Sequence, residues 1–108
     1  MRKQHPYAGH FIASFDCLFR LHTSVNGRFR ISTVGEWHPD IPPNVGERRY
    51  KHPPREIGVD RLYETMVFPL GADGEPVSWE GIDHRSYNTA AEAEAGHEEL
   101  VSKWEAAP

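Results

Sequence analysis

The chain has 108 residues, enough for one domain and too few for an enzyme with separate cofactor and substrate lobes. A hydrophobic share of 38%, a charged share of 26% and nine each of Gly and Pro describe a globular, loop-rich protein, and no window approaches the roughly 18 consecutive apolar residues of a membrane span. The net charge of −4 is unevenly divided, with ten Lys or Arg against six Asp or Glu in residues 1–61 and two against ten in residues 62–108.

At the start, Met1-Arg2-Lys3 resembles the basic region of a signal peptide, but Gln4-His5-Pro6 and Gly9-His10 interrupt the stretch where an apolar segment would have to stand, and no small-residue cleavage site comes after Phe19. Secretion is not expected. Residues 11–23 alternate, with Phe11, Ala13, Phe15, Cys17, Phe19 and Leu21 on one parity, which predicts a half-buried strand. Cys17 is the only cysteine, so an internal disulfide is excluded and a buried, unreactive thiol is expected.

Asn26-Gly27 marks a hairpin into a second alternating run, Phe29, Ile31 and Thr33. A two-residue turn would set apolar rows beside polar ones. A three-residue loop, Val25-Asn26-Gly27, aligns them and predicts Leu21 opposite Ile31 and Thr23 opposite Phe29. Residues 36–60 show no period and contain Pro39, Pro42, Pro43, Pro53 and Pro54, so a long loop is expected. It carries the densest basic cluster, in which Arg48, Arg49, Lys51 and Arg55 surround Tyr50 and His52.

Residues 61–68 and 82–87 read as third and fourth strands joined through Asp73-Gly74. Thr89-Ala90-Ala91-Glu92 is a capping box that opens a helix to about Trp104, with the Thr89 hydroxyl on an amide near Glu92 and the carboxylate returning to the Thr89 amide. Its apolar stripe is Ala90, Ala93, His97, Leu100, Val101 and Trp104, with Trp104 as the main anchor, while Glu94, Glu98, Glu99 and Glu105 mostly face water. Gly96 beside that stripe predicts a close approach of strand backbone. The expected fold is α+β, a single domain over 1–108 with a small antiparallel sheet of about four strands, made as two hairpins and packed by the C-terminal helix.

Four pieces occur in order: Ile31-Ser32-Thr33-Val34, Tyr63-Glu64-Thr65-Met66-Val67-Phe68, Asp73-Gly74-Glu75, and Tyr87-Asn88-Thr89 leading to Glu92-Ala93-Glu94-Ala95-Gly96-His97. Together, over residues 28–104, they resemble a family of small uncharacterised proteins encoded in bacteriophage and prophage genomes. That family's glycine and aspartate-histidine after the Ser-Thr-Val strand are replaced here by Gly35-Glu36-Trp37-His38-Pro39-Asp40. The resemblance implies a phage origin and a shared fold, and it brings no activity and no catalytic residues.

The residues themselves offer several candidate sites. Glu36, His38 and Asp40 alternate and, with His97 or His84, have donors of the types that bind a divalent metal, though solvated loop residues are the commoner case. His97, on the apolar helix face, reads as a structural histidine bonded to Thr33, Thr65 or Glu64, with a general-base or ligand role as the alternative. Glu64 reads as an edge-strand charge that blocks aggregation, or else a functional carboxylate. The cluster Arg48, Arg49, Tyr50, Lys51, His52 and Arg55 is the leading contact surface. A solvated loop is the commoner case for such a cluster; as a contact surface it suits an acidic protein or a nucleic acid, and the acidity of the whole chain favours the protein. No glycine-rich phosphate loop, nucleophile elbow or His-Glu-x-x-His occurs, and no cofactor is expected. The residues suggest a non-enzymatic binding protein acting on a host or phage protein in the host cytoplasm. The alternatives are a virion-associated structural protein and a small metal-dependent enzyme or nuclease.

Overall fold

The structure, a computed structural model, describes residues 1–5, 17–37, 56–57 and 61–108. Among the described residues five strands form one antiparallel sheet in chain order: β1 Arg2–Gln4, β2 Cys17–Val25, β3 Phe29–Trp37, β4 Tyr63–Pro69 and β5 Asp83–Tyr87, followed by helix α1, Ala90–Glu105. The α+β architecture with a C-terminal helix is as expected, and the sheet has one more strand than the four read from the sequence. The addition is β1. Arg2 pairs with Val25, Lys3 with Ser24 and Gln4 with Thr23, so a three-residue polar segment with no periodicity becomes a strand by bonding to the end of β2. Residues 11–16, the start of the strand expected over 11–23, lie outside the described residues, as does the expected 36–60 loop apart from Glu36, Trp37, Glu56 and Ile57.

The hairpin between β2 and β3 has the expected parity and the expected three-residue loop, the loop shifted by one residue and the pairing by two. Val25 pairs with Phe29, Thr23 with Ile31 and Leu21 with Thr33. Asn26 and Gly27 both take left-handed backbone, φ 55° and 65°, and the Arg28 amide donates to the Val25 carbonyl at 3.0 Å. The additional residue is therefore Arg28 after the turn rather than Val25 before it. Keeping Val25 in the strand lets its side chain join the core. There it is fully buried in a cluster with Ile31, Val67, Leu100 and Val101, against which Phe29 and Trp104 pack.

Pairing fixes two faces. Odd-numbered residues of β2 to β5, together with Arg2 and Gln4, lie under α1, and even-numbered residues of β2 to β5 face the other way. Under the helix, Ala93, Gly96, His97, Leu100 and Val101 are buried and Trp104 is only partly so. A fully buried Leu or Val contributes roughly 1.5–3 kcal/mol, so the centre of α1, rather than Trp104, carries most of its attachment. Gly96 does meet a close neighbour, but the neighbour is the ring of Tyr87 and not strand backbone, since a Cβ at Gly96 would overlap that ring. The N-cap also departs in one detail. The Glu92 amide donates to Thr89 Oγ1 at 3.1 Å, while the Glu92 carboxylate accepts from that same hydroxyl at 3.0 Å rather than from the Thr89 amide.

The opposite face is also largely buried, with His22, Ser24, Arg30, Ser32, Val34 and Phe68 all inaccessible or nearly so. Among the described residues, His5 and the β4–β5 connection lie against it. His5 Nε2 meets Ser24 Oγ at 2.9 Å, and Arg30 Nη2 donates to the Gly74 carbonyl at 3.1 Å. The Trp79 ring sits edge-on to Phe68 with centroids 5.3 Å apart. The connection is itself ordered as a short ladder: Leu70 bridges Pro76, the Gly71 amide donates to the Glu75 carbonyl at 2.8 Å and the Val77 amide to the Pro69 carbonyl at 3.0 Å. Among the described residues no helix is long and apolar enough to cross a membrane.

Candidate functional site

His97 has the role of a structural histidine in its geometry. It is 5% exposed, with Nδ1 at 2.7 Å from Thr33 Oγ1 and Nε2 at 2.9 Å from Thr23 Oγ1. Thr33 Oγ1 lies 2.6 Å from Thr65 Oγ1, and the Thr23 hydroxyl donates to Gln4 Oε1 at 3.1 Å. Donor accounting assigns the protons once burial holds the imidazole neutral. Thr23 spends its proton on Gln4, so it accepts from His97 Nε2–H; bare Nδ1 accepts from the Thr33 hydroxyl, and Thr33 in turn accepts from Thr65. The imidazole is neutral, and burial pushes its pKa down to about 4. Beyond Thr65, the Tyr87 hydroxyl approaches without closing a hydrogen bond of ordinary geometry. One residue from each of the five strands thus stands in a single polar row held by the helix. Of the partners expected for His97, Thr33 bonds it directly, Thr65 reaches it only through Thr33, and Glu64 is excluded because it faces the opposite side; Thr23 and Gln4 are not foreseen.

Glu64 is not on an edge. β4 lies between β3 and β5, and the Glu64 side chain is 12% exposed and paired with His84 Nε2 at 3.1 Å. Ser86 Oγ meets the same nitrogen at 3.3 Å. A catalytic triad needs the carboxylate on one ring nitrogen and the hydroxyl on the other, so Ser86, His84 and Glu64 do not form one. Glu36, the described member of the candidate metal set, has left-handed backbone, φ 55°, and its carboxylate accepts from the Tyr63 hydroxyl at 2.8 Å. Burial and this carboxylate together push the Tyr63 phenol up to about 12. His38 and Asp40 lie outside the described residues, as do Arg48, Arg49, Tyr50, Lys51, His52 and Arg55. Both nitrogens of His97 are taken by Thr23 and Thr33 under the helix. Among the described residues no group of three or more His, Cys, Asp or Glu is placed to hold a metal ion. Cys17 is buried.

The sequence reading missed an open groove of about 640 Å³ beside β4 and β5, lined by Met66, Pro69, Ser78, Trp79, Glu80, Gly81 and Ile82. Two of its large apolar side chains stand about half in water, Trp79 at 49% and Ile82 at 47% exposure, and the preceding Val77 is 67% exposed. Buried neighbours support it from below, with Phe68 under Trp79 and the Ile82 amide anchored to the Val67 carbonyl at 2.9 Å. Glycine at position 81 lets the end of Met66 come in close, since a Cβ there would lie 2.7 Å from Met66 Cε. The sequence signal was Val77, Trp79 and Ile82 within a segment otherwise read as a connection. Apolar residues without a period go unread in a sequence, yet three together on a surface mark a contact site. Comparison with protein-family models, with curated proteins and with solved structures returns no match.

Proposed function

We propose that this is a small phage-encoded accessory protein that acts by binding another protein, of the host or of the phage, rather than by catalysing a reaction. The phage origin rests on the four ordered motifs between residues 28 and 104. The observation that carries the binding role is the groove, where Val77, Trp79 and Ile82 remain largely exposed on an ordered loop. Large aromatic and aliphatic side chains held in water around a preformed concavity are the usual anchors of a protein contact. A rigid loop also loses little entropy on binding.

The test uses immobilised full-length protein and lysate of infected host cells, comparing the wild type with a Trp79→Asp/Ile82→Asp variant matched to it in thermal unfolding. The expected result is a host or phage protein retained by the wild type and lost by the variant. The same protein, purified, then shifts the amide resonances of residues 78–82. No retained protein, or equal retention by both forms, overturns the reading.

A further inference from the structure

The charge around the groove indicates which kind of segment it accepts. Residues 69–84 contain Asp73, Glu75, Glu80 and Asp83 and no Lys or Arg. Two of these carboxylates are already answered: Glu75 lies 3.8 Å from Arg30 and Asp83 2.7 Å from Lys103. Asp73 and Glu80 have no cationic partner among the described residues. Glu80 lines the groove, and Asp73 adds a second exposed carboxylate on the same β4–β5 connection. Past Met66, on the same face, Glu64 and His84 close the polar end. The site therefore presents an apolar wall of Met66, Trp79 and Ile82 with uncompensated negative charge at its border.

Resting on the binding role proposed above, we infer that the groove receives a basic-apolar polypeptide segment, in which one large apolar side chain inserts against Met66, Trp79 and Ile82 and a flanking Lys or Arg faces Glu80. An acidic segment would bring like charges together around a partly desolvated groove, where repulsion is screened less than in open water. The same charges disfavour the phosphates of a nucleic acid. Amide-to-side-chain bonds hold the receiving loop in place before any partner arrives: the Glu80 amide donates to Ser78 Oγ at 3.1 Å and the Glu75 amide to Asp73 Oδ1 at 3.0 Å.

The test titrates full-length, isotope-labelled protein with two synthetic 15-residue peptides that share a central Phe, one flanked by Lys and the other by Glu at the same positions. The Lys-flanked peptide is expected to shift the amides of Met66 and residues 78–82 and to bind at least about ten-fold more tightly than its Glu counterpart. Glu80→Lys should weaken the Lys-flanked peptide by about two- to five-fold, the range of an exposed ion pair, and narrow the preference between peptides. Trp79→Ala should abolish both effects without lowering the melting temperature appreciably. Equal affinity for the two peptides, or shifts confined to another face, overturns the inference. If neither peptide binds while the captured partner is still lost on changing Trp79 and Ile82, the inference falls and the binding role stands. If sedimentation shows concentration-dependent dimers that Trp79→Ala dissociates, and no peptide binding, the occupant is a second copy and the inference is likewise overturned.

Discussion

At the level of single residues, His97 is the side chain whose chemistry is most tightly determined. Burial keeps the imidazole neutral, and with Thr23 donating to Gln4 the ring gives Nε2–H to Thr23 and takes the Thr33 proton at Nδ1. Nitrogen-15 NMR should therefore find His97 protonated at Nε2 alone and uncharged down to about pH 4. A buried histidine whose pKa falls from 6.5 in the unfolded chain to about 4 in the fold binds its proton more readily when unfolded. Its contribution is then complete above pH 6.5, declines as pH falls through that window, and levels off below 4. The full difference amounts to about 3 kcal/mol. His5, lowered by burial and by Arg30, adds to the same slope. Asp83, held below its ordinary value chiefly by the Lys103 ammonium against the opposing effect of burial, acts separately, its contribution being lost only below about pH 3.8. Denaturant unfolding of the wild type and of His97→Gln at pH 7, 5.5 and 4 should show the variant destabilised at pH 7 and the gap closing toward pH 4. A gap independent of pH would contradict the neutral buried state.

Among the elements, α1 is the one whose attachment can be dissected. Leu100 is fully buried in the cluster of Val25, Ile31, Val67 and Val101, so Leu100→Ala should cost about 2 to 5 kcal/mol. Trp104 is partly exposed, its ring 4.8 Å from Phe29 and its Nε1–H donated to Asp83 at 3.0 Å, and Trp104→Ala should cost less, about 2 kcal/mol. Urea melts of the two variants rank them directly, and a larger loss for Trp104 would move the centre of the helix-sheet contact. Gly96 gives a sharper test. Glycine inside a helix costs around 1 kcal/mol against alanine, yet Gly96→Ala should destabilise, because the new methyl overlaps the Tyr87 ring. In a Tyr87→Ala background the same change should become stabilising by up to about 1 kcal/mol. Without that reversal of sign, Tyr87 is not what keeps position 96 a glycine.

For the molecule as a whole, the division into a basic half and an acidic half becomes a set of cross-links between sheet and helix. At one edge, Arg2 of β1 donates to Glu98, to Glu105 at 3.1 Å and to Ser102 at 3.1 Å. At the other, Arg85 of β5 reaches Glu99 and Asp83 takes Lys103. Arg2 and the Met1 ammonium hold the Glu105 carboxyl below its usual range. The helix glutamates read from the sequence as solvent-facing are thus in part a clamp over both edges of the sheet. Exposed pairs are individually weak and screened by salt. Arg2→Glu/Arg85→Glu should lower the melting temperature in low salt, with the loss shrinking in 1 M NaCl. Lys3→Glu, on the opposite face of β1, should have little effect in either. Equal losses at both salt concentrations would mean that the arginines act through packing of their stems instead of charge.

The helix and its cap, the α+β class, the parity of β2 against β3 and the length of the loop between them were all legible in the chain, because they arise from interactions within a few residues: an Oγ to an amide three positions on, an apolar stripe at helical spacing, a left-handed Asn-Gly pair. The other features depend on contacts between distant segments. β1 is a strand because of what the end of β2 offers it, and Arg2-Lys3-Gln4 carries no local preference for that state. The loop moved by one residue, and the register by two, because burying Val25 against Val67 and Leu100 outweighs any difference between neighbouring three-residue turns. Glu64 became interior because strand order is a property of the sheet, which also placed Thr23 and Gln4 within reach of His97. The groove is the extreme case, since Val77, Trp79 and Ile82 would be ordinary core residues in another packing. Their exposure depends on the β4–β5 ladder that holds them outward, and no periodicity in the chain records it.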